Sequence, residues 1–214
     1  MRTVILTLLT ALGLAVLGAF AFIYSGVYDV AATSPHWPLT YWAMDTVRTR
    51  SVEMHAKGIT PPPWINDETK VVEGTPHFAA HCASCHGAPG VPRGDIADRL
   101  YPKPADLKDV AQRYTPGELF WILKNGIKMS GMPSWSDHSD AELWVTVAFL
   151  EKLPGMTEQD YGKLVMESMK MAGRHQHGGM AMPDGASMPP NMPGMDMKNM
   201  PMPAAPPTGQ GNHL

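Results

Sequence analysis

Both cysteines of this chain lie in one short stretch, His81-Cys82-Ala83-Ser84-Cys85-His86-Gly87. Two thiols separated by two residues, with a histidine directly after the second, form the attachment pattern of a c-type haem. On one helical turn the thiols can close thioethers onto the two haem vinyl groups while the next side chain reaches the iron. A thioredoxin-like redox pair shares the spacing, but it needs a βαβ context that is absent here and leaves His86 without a role. A structural zinc site needs a second ligand pair, and no cysteine remains to supply one. The expectation is one covalent haem c, held by Cys82 and Cys85, with His86 on the iron.

An iron with one histidine needs a second axial ligand if it is only to carry electrons, because an open position invites small-molecule binding or peroxide chemistry. The segment Lys128 to Trp135, KMSGMPSW, offers two thioethers. Met132 is the expected ligand, since Gly131 and Pro133 can present it from an irregular loop. Met129 is the alternative, and core packing is the ordinary role of either. His77 and His81 are four apart and could share a surface metal, but they lack a third ligand and read as exposed helix residues. His36 and His55 read as interfacial or surface histidines.

The elements that must position these residues are helical. Gly74, Phe78 and Cys82 recur every four residues and share one face of a helix that ends in the attachment motif. Pro76 is awkward inside it and suggests a helix start near Thr75. Ala88 to Leu107, rich in proline and glycine, reads as a loop. A carbonyl near Pro89 or Pro92 could accept from His86 Nδ1 and orient the ring. Thr115-Pro116-Gly117-Glu118 opens a second helix with a capping box and proline at its first position, and Asn125-Gly126 ends it. Ser139-Asp140-Ala141-Glu142 opens another, whose Leu143, Val147 and Leu150 fall on one face before Leu153-Pro154-Gly155.

The helix leading into CASCH, the NGIKMSGMPSW segment and the final LWVTVAFLEKLP together resemble class I c-type cytochromes, over about Glu73 to Pro154. The resemblance implies an all-α, cytochrome c-like haem domain, thioethers at Cys82 and Cys85, and axial ligands His86 and Met132. It also implies that the first and last helices pack through Gly74, Phe78, Trp144 and Leu150, and that the domain transfers single electrons instead of acting as an enzyme. Trp135 and Tyr101 could line the haem edge or simply fill core. The stretch GVYDVAATSPHWPLTYW also looks like membrane-bound monohaem cytochromes of bacterial respiratory chains. That likeness implies the inner membrane, a haem domain facing the periplasm, and redox partners such as a terminal oxidase, a respiratory complex or a copper enzyme.

Around this domain the 214 residues divide unevenly. Residues 1–25 contain an uncharged apolar run from Val4 to Tyr24, which as a helix spans about 30 Å and suits a transmembrane anchor. A cleaved signal peptide is the rival, with Ala19-Phe20-Ala21 as its cleavage site. Residues 26–65 hold a juxtamembrane helix, from Pro38 to about Ala56 with Leu39, Ala43 and Val47 on one side, and a stiff Pro61-Pro62-Pro63 linker. Residues 66–155 are the haem domain, and 156–173 a short helical extension with Tyr161, Leu164 and Val165 partly apolar. Residues 174–214, rich in Met, Pro and Gly, cannot bury a core and are expected to be disordered. The tail pairs Met180/Met182, Met195/Met197 and Met200/Met202 repeat a spacing whose soft thioethers suit Cu(I), and His175 and His177 add imidazoles that suit Cu(II).

A net charge of −3 lacks the basic footprint of a nucleic-acid partner. The leading reading is a membrane-tethered electron carrier. The alternative is a copper-binding metal-homeostasis protein that uses the tail with haem as its redox partner. A haem enzyme or gas sensor with a labile Met132 is the third.

Overall fold

A computed structural model of the chain describes residues 1–177, with side chains as far as Met171. Among the described residues the chain is all helix and loop, apart from a single bridge between Ala88 and Val91. Helix α1, Arg2–Ser25, has a mean hydropathy of 2.4 in its most apolar window, and none of its side chains is buried against the described residues. Gly26 ends it in a left-handed conformation (φ 66°). Helix α2, Pro38–His55, begins with proline at its first turn, where the missing N–H costs nothing.

The expected apolar side of α2 faces outward: Leu39 and Val47 are exposed, while Val52 and Ala56 are buried and α2 lies against the helix that contains Trp121. There the His55 ring stacks on Trp121 at 5.5 Å. Beyond the triple proline, Ile65 is buried in the main core, and before it Ile59 packs against that core, so the connector is fastened to the domain at both ends.

Helix α3, Glu68–His77, starts earlier than the proline suggested. Asp67 caps it by accepting from Thr69 N–H at 2.9 Å, and Pro76 lies inside the helix near its end. Pro76 has no N–H to offer Val72, and directly afterwards the chain widens into a π-turn, Phe78–Cys82, in which Ala83 N–H reaches Phe78 O. The axis then continues as α4, Ala83–His86, so one run of helix leads into and through the attachment motif. The loop that follows contains a short turn, α5 (Asp95–Asp98), and a helix absent from the sequence expectation, α6 (Leu107–Arg113), capped by Asp106.

Helices α7 (Pro116–Asn125) and α8 (Asp140–Lys152) open on the two expected capping boxes, both complete: Thr115 with Glu118, and Ser139 with Glu142. Leu143, Val147 and Leu150 of α8 are buried as their spacing requires. A one-turn 3₁₀ segment, Leu153–Gly155, leads to α9, Glu158–His177, which adds Tyr161 and Ser168 to the buried residues and lies against α3.

Two glycines are dictated by close approach. A Cβ on Gly74 would stand 2.0 Å from the Val145 carbonyl oxygen, so α3 and α8 touch backbone to backbone there. A Cβ on Gly117 would stand 2.4 Å from the Ile59 carbonyl oxygen, so α7 meets the connector in the same way. One turn beyond Gly74, Phe78 packs on Phe149 with ring centroids 4.4 Å apart. The aromatic that meets Phe78 is therefore Phe149, while Trp144 stacks on Phe120 of α7 at 4.3 Å. The α3/α8 crossing, thickened by α7 and α9, is the core from which the attachment motif projects.

Candidate haem site

Cys82 is buried at the end of the π-turn and Cys85 is half-buried one turn on, neither of them in a disulfide. Burial pushes the Cys82 thiol up to about 12, and the neighbouring Cys85 adds to the effect. Cys82 is thus protonated near neutral pH and inert towards adventitious thiolate chemistry.

His86 closes α4, and its ring is oriented from outside the helix. Nδ1 lies 2.8 Å from the carbonyl oxygen of Ala105. A carbonyl can only accept, so Nδ1 carries the proton and Nε2 keeps its lone pair, as a metal-binding imidazole requires. The partner comes from the expected loop but not from the vicinity of Pro89 or Pro92. That region folds back on itself, with Ala88 N–H bonded to Val91 O and Arg93 Nη1 donating to Pro104 O at 2.7 Å, which brings residue 105 under the ring. Burial lowers the His86 pKa, Arg93 acts in the same direction, and the Ala105 hydrogen bond opposes them. The ring is neutral at physiological pH, the form that binds a metal. A cleft of about 430 Å³ opens beside it, walled in part by Val91, Arg93, Leu107 and Leu153.

Of the two candidate thioethers, Met132 is partly buried against the main core, in the same cluster as Cys82 and Ala83. Its loop is braced by Ile127 N–H to Met132 O (3.2 Å) and by Met132 N–H to Ser130 Oγ (3.2 Å). Met129 has a left-handed backbone and an 84% exposed side chain, which suits a loop tip and not an apolar pocket. Trp135 also packs on the core. Tyr101 is engaged elsewhere, its hydroxyl accepting from His36 N–H at 2.9 Å. His175 and His177 fall on the last turn of α9, but their side chains lie outside the described ones, and Met180, Met182, Met195, Met197, Met200 and Met202 lie outside the described residues.

These residues fit a covalently held haem. Two free thiols stand one turn apart beside an apolar core, and the adjacent histidine is neutral with its Nε2 lone pair uncommitted. Ala105 could not have been found from local signals, because the pairing spans a loop whose course the sequence does not announce.

Residues 69–150 match the family of cytochrome C oxidase, cbb3-type, subunit III. No curated protein and no solved structure matches the chain. The matched segment runs from the first turn of α3 through most of α8, so it contains the attachment motif, the methionine loop and the helix crossing that supports them.

Proposed function

We propose, from the premise that residues 69–150 form a class I c-type cytochrome domain, that the chain is a membrane-tethered monohaem carrier of single electrons. Cys82 and Cys85 would hold the haem through thioethers, and His86 Nε2 and Met132 Sδ would be the protein's ligands to its iron. When bound, the haem supplies a one-electron iron couple, and histidine with thioether favours a higher potential than two histidines would. The chain's own residues keep the ligand set fixed: the Ala105 carbonyl holds the His86 ring, and the Ser130 hydroxyl and Ile127 N–H brace the backbone of Met132. The core against which Met132 packs excludes water from that side. Helix α1 is the anchor, in the inner membrane of a bacterium with the haem domain in the periplasm, and the partners are respiratory redox proteins such as a terminal oxidase.

The observation that carries this reading is the hydrogen bond from His86 Nδ1 to the Ala105 carbonyl, because it commits one ring nitrogen and leaves the other for iron. Met132→Ala in the haem-loaded protein tests it. The oxidised wild type should show a methionine-to-iron charge-transfer band that the variant lacks, while Met129→Ala keeps it. Tight CO binding or rapid peroxide turnover by the wild type would refute the carrier reading.

A further inference from the structure

His77 and His81, one turn apart on the helix that carries the attachment motif, make half of a metal site. The fold supplies the rest. The loop between α7 and α8 returns across them, guided by Trp135 N–H to Leu123 O (3.1 Å) and His138 N–H to Trp135 O (3.1 Å). This brings His138 within 4.9 Å of His77 and 5.8 Å of His81, centroid to centroid, with His77 and His81 4.8 Å apart. One ring nitrogen from each of the three lies within 4.8 Å of the other two.

Three features separate this cluster from histidines that merely neighbour one another. His77 Nε2 is buried with no hydrogen-bond partner among the described residues, a desolvation cost to the fold. His138 Nδ1 lies 3.2 Å from the Asp137 carboxylate, which can only accept, so its Nε2 keeps a lone pair, the pairing metal-bound histidines commonly make. Trp135 closes one side, its ring 5.4, 4.8 and 5.3 Å from those of His77, His81 and His138. His81 is exposed and leaves a path from solvent. Glu142 lies near enough for its charge to act on both His77 and His138.

We infer that His77, His81 and His138 form a binding site for one divalent d-block cation that imidazole suits, Zn(II) or Cu(II), with a fourth position open to water. Bonds of about 2.0–2.1 Å in a tetrahedral arrangement place ligand nitrogens roughly 3.3 Å apart. The rings need to draw together by about 1.5 Å, within reach of side-chain rotation at His81 and His138. Asp137 and Glu142 offset part of the charge that three neutral ligands leave on the ion. The site shares no ligand with the proposed haem iron and stands whether or not that reading does.

The test uses the full-length, haem-loaded protein in detergent, with Zn(II) titrated against a chromophoric chelator. One equivalent should bind. His138→Ala and His81→Ala should each weaken it at least 100-fold with the haem absorption spectrum unchanged, and the double variant His175→Ala/His177→Ala should leave it intact. Affinity indifferent to His138→Ala, or abolished by the His175/His177 pair, overturns the inference. A single equivalent of Cu(II) should give an electron paramagnetic resonance spectrum with superhyperfine splitting from three nitrogens, and a spectrum of mainly oxygen or sulfur ligation would also overturn it.

Discussion

His86 and His77 ride on one continuous run of helix, yet their rings are held in opposite ways. The Nδ1–H of His86 is bound by a backbone carbonyl, so its other nitrogen is both free and aimed. The Nε2 of His77 is buried beside two further imidazoles with no hydrogen-bond partner among the described residues. A ligand whose far side is fastened is organised before its metal arrives. A ligand with an unmet buried nitrogen instead costs stability until something fills the gap.

The firmest way to break the contrast is at the thiols. Replacing both Cys82 and Cys85 by alanine should abolish haem that survives denaturing electrophoresis, as seen by in-gel peroxidase staining, while Zn(II) binding at the histidine cluster persists. Loss of both together would mean that the two sites are one. Gly74→Val attacks what they share. Its side chain would collide with the Val145 carbonyl and lever α3 from α8, costing about 3 kcal/mol or more in chemical denaturation and weakening both sites at once.

Ser139→Ala should tell the sites apart. It removes the cap of α8 next to His138, costing about 1 kcal/mol, and should loosen Zn(II) binding in the chelator titration with the haem spectrum unmoved. The smallest effect belongs to Glu151, whose Oε1 is also buried without a hydrogen-bond partner among the described residues but belongs to no cluster of three ligand groups there. Burial raises its pKa above 4.5, so the folded state favours the protonated carboxyl, and stability declines as pH rises from 4.5 through the raised value. Glu151→Gln should raise the melting temperature slightly at pH 7, with the difference vanishing below pH 4.5 in a thermal-melt series. An isolated orphan of this kind marks no site, and the variant should leave both haem and zinc untouched.

What could be read beforehand follows the range of the interactions. The face of Gly74, Phe78 and Cys82 and both capping boxes depend on residues three or four apart, and they stand as their spacing requires. Pro76 misled because an interior proline usually ends a helix. Here Asp67 caps the start well upstream, and the widened turn after Pro76 carries the axis onward. His138 and Ala105 were out of reach, since each meets its partners only through a loop that folds back from distant sequence. Trp144 shared a helix with the expected contacts, but it faces α7, and only the packing of three helices decides which neighbour an aromatic meets.

The connection between α1 and the haem domain has a consequence for how partners meet. Tyr28 hydroxyl and His36 Nδ1 lie 2.9 Å apart, and His36 N–H donates to Tyr101 of the domain, while α2 and Ile59 lie on α7. With α1 in a bilayer, this is a short, braced leash and not a swinging arm. The domain then samples little height above the lipid, and encounters become collisions in two dimensions, limited by lateral diffusion. On the tethered-carrier reading proposed above, partners whose docking face lies close to the membrane surface would be favoured, and cutting the Tyr28–His36–Tyr101 tie would widen the choice.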